Sequence, residues 1–195
     1  MRVSKAEAEK NRERIIEVAA MKFRELGFEG IGVADLMKSA GLTHGGFYGH
    51  FASKEDLMAQ ACERAMTGSI EALKLLSEQG GQKAMKAIAA AYLSPQHRDQ
   101  PGAGCVLAAL GAEAPRHGST VRAAFTRGVR SAIDVLEGLV QAKSKRANRQ
   151  RAMTIYASMI GAIILSRAVE DPELSEEVLQ SVLTSIGQGN AALSK

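Results

Sequence analysis

Residues 33–57 read VADLMKSAGLTHGGFYGHFASKEDL, and their punctuation decides the fold. VADLMKSA carries apolar Leu36, Met37 and Ala40 at helical spacing, and Gly41 stops it where a glycine can take the turn. HGGFYGHF follows as a second short helix, and Ser53 is an N-cap for a longer third, with Glu55 and Asp56 in its first turn. A short helix, a glycine turn and a second short helix form a helix-turn-helix. The second helix can stand proud of its domain and enter a major groove about 12 Å wide. Leu36, Ala40, Leu42, Phe47 and Phe51 are the expected buried contacts that set the angle between the helices. Thr43, His44, Gly45, Tyr48 and His50 then point outward, where hydroxyl and ring groups can bond base edges or phosphate oxygens.

Outward from that stretch, apolar residues recur at three- and four-residue steps and strand-like alternation is nearly absent, so the expected fold class is all-α. Residues 4–26 open with Ser4 and Glu7 in a capping-box pattern and carry a stripe of Ile15, Val18, Ala19, Met21 and Phe23 before Gly27. Beyond Ser53, helices are expected at 53–77, 82–93, 105–114, 119–142 and 152–169, with a last one at 173–191. Residues 94–104, with Pro95, Pro101, Gly102 and Gly104, read as a loop, and 143–151 as a basic connector. This makes about nine helices. The expected domains are a three-helix DNA-binding unit at 1–53 and a helical ligand-binding and dimerisation unit at 54–195.

Composition narrows the classes. The chain has 195 residues, 46% of them hydrophobic, enough for a sizeable core, and a formal charge of +4. Residues 1–54 hold nine Lys and Arg against seven Asp and Glu, so DNA affinity has to come from a few placed contacts, among them Arg2, Lys5, Tyr48 and Lys54. Two cysteines make no disulfide framework, and the polar opening residues make no secretory signal, so a cytoplasmic protein is expected. The longest uncharged apolar run, 152–166, has fifteen residues, against about 20 for a membrane span. No membrane partner, cofactor or metal is expected. His97 and His117 lack partners at metal-ligand spacing, and neither a G-x-S-x-G elbow nor a phosphate loop occurs.

The stretch LTHGGFYGHFASKEDL resembles the signature of the TetR family of bacterial transcriptional regulators. The matching features are the Leu-Thr lead-in, the Phe-Tyr-x-His-Phe core and the Ser-Lys-Glu-x-Leu entry to the next helix. Phe23 and Gly27 ahead of Ile31 and Val33 fit as well, so the likeness covers about residues 10–60. The resemblance implies a homodimeric repressor that binds double-stranded operator DNA and is released by a small-molecule effector. It places Thr43, His44 and Gly45 at bases or flanking phosphates, Tyr48 and His50 at the backbone, and Lys54 at a phosphate. Gly45-Gly46 departs from good helix chemistry, at about 1 kcal/mol each against Ala, and predicts a recognition segment that orders on DNA.

The last two helices are expected to pair between subunits as a four-helix bundle, through Tyr156, Ile160, Ile163, Val178 and Val182. An effector pocket is expected in the middle of the chain, lined by Met66, Met85, Tyr92, Cys105, Leu107, Leu110 and Phe125. Cys105, after PGAG, is expected in the first turn of a helix, where a thiol is activated; the resemblance, whose family includes cysteine-based sensors, leaves it either a sensor or a small buried residue. Two other readings stay open: a binding protein for small molecules or thiol-reactive compounds without operator function, and a helical enzyme.

Overall fold

The computed structural model describes residues 4–189. Arg2 and the expected end of the last helix at Ala191 lie outside them. Among the described residues there are nine α-helices, three short 3₁₀ turns and no strand, so the all-α expectation holds. In chain order the helices are α1 (Lys5–Leu26), α2 (Val33–Ser39), α3 (Lys54–Ser77), α4 (Gly81–Tyr92), α5 (Pro95–Asp99), α6 (Val106–Leu110), α7 (Ser119–Glu137), α8 (Lys145–Ala168) and α9 (Pro172–Gly189). No helix among them is long and apolar enough to cross a membrane.

The helix ends follow single residues. Ser4 Oγ accepts from the Glu7 N–H at 3.1 Å, and Ser53 Oγ accepts from the Asp56 N–H at 3.1 Å. Gly41, at φ 70°, ends α2. Its N–H donates to the Lys38 carbonyl and the Leu42 N–H to the Met37 carbonyl, both at 2.9 Å, the paired bonds of a Schellman cap.

Two apolar clusters form the core. The first unites α1, α2, the Phe47–Phe51 segment and the first half of α3 with α6 and the first half of α7; the second gathers α4, the end of α7, α8 and α9. The DNA-binding helices are therefore welded to the C-terminal half through α3, α6 and α7 rather than hung from it. Gly128 makes the α3–α7 packing close, since a Cβ there would meet Met66 Sδ at 2.5 Å.

Several expectations need correction. Residues 94–104 are α5 and a 3₁₀ turn rather than a loop, because Pro95 and Pro101 each occupy a first-turn position, where proline starts helices. The 105–114 helix shrinks to α6, and α7 ends at Glu137 rather than 142. Leu139 and Val140 are buried without being helical. Most of the basic run, 145–151, forms the first two turns of α8, where Arg149 lies 3.0 Å from Asp134 and 3.1 Å from Glu137. Met21 is exposed, outside the stripe of Ile15, Ile16, Ala19, Ala20 and Phe23. The recognition segment, His44–Gly49, is a 3₁₀ turn instead of an α-helix, consistent with its three glycines.

Candidate nucleic-acid interface and ligand pocket

Phe47 is the fixed point of the recognition segment. It is fully buried, 5.5 Å from the Phe51 ring, and the Tyr48 ring stands edge-on to it at 5.2 Å. Tyr48 itself is 72% exposed. Thr43, His44 and Gly45 are exposed beside it and His50 is half-buried. A Cβ at Gly45 would meet nothing within 4 Å. The missing side chain therefore serves no packing within the protein and leaves room for a close approach from outside. Lys54 is half-buried at the start of α3, and its Nζ lies 3.3 Å from Glu29 Oε2. Glu29 is exposed, so the pair is weak and holds Lys54 only loosely.

The cavity is a space of about 420 Å³ between α1, α3, α4, the 103–105 segment and α8, well within the size range of small-molecule sites. Small residues of α3 open it: Ala65, Gly68, Ser69 and Ala72, with Ala20 of α1 opposite. Leu73, Leu76 and Ile88 give apolar wall, and Tyr92, His97, Cys105 and Tyr156 line its deeper side. Glu17, Arg24 and Arg64 also border it.

Of the expected pocket residues, the structure brings Tyr92 and Cys105 to this cavity. Met66, Leu110 and Phe125 are buried in the first core cluster and Met85 in the second, while Leu107 is packed between the two. Methionine at helical spacing here fills the core, as a flexible side chain does well. Of the expected dimer residues, Tyr156 lines the cavity and Ile163 is fully buried within its own chain. Ile160, Val178 and Val182 are partly buried against the second cluster. An apolar helix with no polar face gives no phase, and the inward stripe of α8 proves to be Ala152, Ile155, Tyr156, Met159, Ala162 and Ile163.

Sequence reasoning missed Arg24, His97 and Glu113. The readable signal was the small-residue stripe Ala65, Gly68, Ser69 and Ala72, since four small side chains on one face leave space rather than fill it. His97 is held on both ring nitrogens: Nδ1 lies 2.6 Å from the Tyr92 carbonyl, and Nε2 accepts the Cys105 N–H at 2.8 Å. Burial pushes its pKa below the ordinary 6.5, and a proton on Nε2 would face another donor. The folded state therefore binds this proton less readily than the unfolded state. The stability contributed is complete above pH 6.5 and is lost as pH falls below it, toward the folded pKa. Melts from pH 7.5 to 5 are expected to show a decline in stability that His97→Gln lessens; identical slopes in both proteins contradict this.

Burial also raises the Tyr92 and Tyr156 hydroxyl pKa values, so both stay protonated. Cys62, in the core and away from the cavity, has its thiol pushed up to about 12 by burial. No cluster of three metal-ligating side chains forms among the described residues.

Glu113 connects the two halves. Its carboxylate accepts the Phe28 N–H at 2.9 Å, three residues beyond the end of α6, and the His117 ring stands edge-on to Phe28 at 4.7 Å.

Residues 15–61 match the family model described as bacterial regulatory proteins, tetR family, and residues 81–182 that of the tetracyclin repressor-like C-terminal domain. The chain belongs to the tetR family. The HTH-type transcriptional repressor NemR of Escherichia coli K12 is 27% identical over 183 residues, 88% of this chain and 91% of that protein. The HTH-type transcriptional regulator AcrR of Shigella flexneri is 36% identical over 62 residues, 32% of this chain and 29% of AcrR. Among solved structures, the reduced form of E. coli NemR superposes with a TM-score of 0.78 at 24% identity, covering 92% of this chain and 96% of that one. A tetR-family regulator from Cytophaga hutchinsonii gives 0.79 at 22% identity, covering 96% and 98%. This tetR-family chain is a ligand-responsive DNA-binding transcriptional regulator, and its recognition segment lies inside the matched 15–61 region.

Proposed function

We propose that this chain is a homodimeric cytoplasmic repressor that leaves its operator when a small molecule enters the cavity beside Cys105. One observation carries the reading: α1, the first helix of the DNA-binding unit, supplies Glu17, Ala20 and Arg24 to the cavity wall. A bound molecule thus touches the DNA-binding unit directly. Thr43, His44 and Gly45 meet bases or flanking phosphates, and Tyr48, His50 and Lys54 hold the backbone.

Two connections leave the cavity. The α3 helix runs from Ser53, next to the recognition segment, into the cavity wall at Ala65 and Gly68. The other passes through Cys105 into α6 and on to Glu113 at Phe28. Displacing either one changes the spacing of two recognition segments related by a two-fold axis, which read half-sites a helical turn or a multiple apart. Adding a cavity-binding compound is expected to weaken operator affinity at least tenfold, a coupling of about 1.4 kcal/mol, and operator must weaken the compound equally. A compound that fills the cavity and leaves operator affinity unchanged refutes the switch. Glu113→Ala is expected to keep operator binding while reducing that tenfold response to less than about threefold; an undiminished response shows that Glu113 carries no coupling.

Met153, Ile164, Leu165 and Leu174 leave an exposed apolar face on α8 and α9, the place for the second subunit. With Ile160, Val178 and Val182 half-buried alongside, it supports a four-helix bundle across the two-fold axis. Ile164→Asp with Leu165→Glu is expected to give a folded monomer by sedimentation; a dimer of undiminished stability contradicts this interface.

A second reading adds covalent chemistry at Cys105, favoured by its place on the cavity wall. Native-state treatment with iodoacetamide that leaves Cys105 unmodified removes it.

A further inference from the structure

The charges around the cavity do not balance. Glu17 Oε1 lies 3.7 Å from Arg64 Nη1, and Arg64 also pairs with Glu13, so the charges on that side of the cavity are engaged with one another. Arg24 has no carboxylate within 4 Å among the described residues; its neighbour Glu25 is taken by Lys22 at 2.8 Å. Arg24 is half-buried, with Nε donating to the Ala20 carbonyl and Nη1 to the Gly104 carbonyl, each at 2.8 Å. Its Nη2 makes no hydrogen bond among the described residues and remains accessible. A second guanidinium, Arg167, stands behind the same segment, donating to the His97 and Arg98 carbonyls at 2.7 and 2.8 Å, again with no carboxylate in ion-pair reach among the described residues. His97 adds no negative charge. Burial lowers the pKa of both guanidiniums, as both are taken partly out of water.

The neighbouring polar group is equally unmatched. The Tyr92 hydroxyl is buried with no hydrogen-bond partner, on a side chain that lines the cavity and whose ring packs against His97 at 4.5 Å. It stays protonated, so a donor sits beside Cys105 with no acceptor in hydrogen-bond geometry among the described residues. Apart from Glu17, Arg64 and Ser69 the remaining wall is mostly apolar, with Ala65, Gly68, Ala72 and Ala91 where larger side chains could stand. A slot of this kind, with one unpaired cation and one unpaired donor at its polar side, is complementary to a particular ligand chemistry.

We propose that the cavity takes an organic anion, an otherwise apolar molecule with one carboxylate or phenolate, its charge received by Arg24 and its polar end bonded by the Tyr92 hydroxyl. The inference rests on the cavity being the effector site and names the ligand class. Arg24 belongs to α1, so the anion draws directly on the DNA-binding unit and competes with the Gly104 carbonyl for the guanidinium. A cationic ligand meets Arg24 uncompensated, and a neutral acceptor can bond the Tyr92 hydroxyl but leaves the charge of Arg24 unmatched.

The test titrates the full chain with three probes of one shape: 2-naphthoate, 2-naphthamide and 2-naphthylmethylammonium. Naphthoate is expected to bind about tenfold more tightly than the amide, the worth of one charge-assisted contact, and the ammonium compound most weakly. In Arg24→Gln the acid and amide are expected to bind alike, Arg24→Lys retains a preference for the acid, and Tyr92→Phe weakens the acid several-fold. Equal binding of acid and amide to the unaltered protein overturns the anion proposal and leaves the cavity reading standing, as does a preference that survives Arg24→Gln. If Arg24→Gln does not fold, the unaltered protein and Arg24→Lys decide: loss of the preference in Arg24→Lys counts against the proposal. Failure of all three probes to bind overturns the cavity reading and the proposal with it.

Discussion

Operator affinity is expected to fall about a hundredfold in Lys54→Gln and further when Tyr48→Ala is added, with helix content and dimer unchanged. Each contact to a phosphate is worth about 1.4 kcal/mol or more, a factor of ten, and a two-fold symmetric dimer loses it twice. Neither side chain holds up the fold. Tyr48 is 72% exposed and meets Phe47 only through a ring edge, and the Lys54–Glu29 pair lies at the surface. Salt provides an independent readout. Removing one phosphate-bound lysine per subunit is expected to lower the slope of log affinity against log salt by about 2 per dimer. Unchanged affinity and slope in Lys54→Gln remove that residue from the interface, and unchanged affinity in the double variant removes both.

Phe47→Ala is expected to cost about 3–5 kcal/mol, the range for emptying a fully buried aromatic site, out of a total stability of about 5–15 kcal/mol. Little else holds the segment it anchors. The 3₁₀ turn keeps its place by a few backbone bonds, Gly46 to the Thr43 carbonyl at 3.1 Å and Phe51 to the Phe47 carbonyl at 3.0 Å among them, and its glycines favour unfolding. Truncation opens a void against Phe51 and loosens the outward side chains, so molecules still folded should also bind operator poorly. Chemical denaturation at fixed protein concentration measures the first effect. A loss below about 1 kcal/mol, the range of ordinary surface substitutions, contradicts the role given to Phe47.

The helices of the N-terminal part are legible because their ends are written in single residues. Ser4, Gly27, Gly41 and Ser53 cap helices, and Leu36, Ala40, Phe47 and Phe51 are buried as the pattern expects. The short helix after Gly41 is present but is a 3₁₀ turn rather than an α-helix, because its glycines signal weak helix without naming the alternative. The cavity was harder to read. Core and pocket walls draw on the same apolar residues, so the methionines gave no contrast, and the space depends on what Ala65, Gly68 and Ala72 lack. Arg24 is invisible for a related reason: no carboxylate pairs with it among the described residues, which only the packed structure reveals. In α8 the helix was legible but its phase was not. Tyr156 and Ile163, expected at a subunit contact, turn inward, and Ile164 and Leu165 face out.

The measurement that bears most directly on the account is selection of fragments from the source genome by the purified protein at about 150 mM salt, followed by sequencing, with a repeat after unfolding and refolding to strip any bound ligand. The account predicts recovery of a few intergenic sites with two-fold symmetric sequence, retained by the unaltered protein and lost with Lys54→Gln and Tyr48→Ala. Recovery of no specific site from the stripped protein, or of sites that the double variant binds equally well, contradicts it.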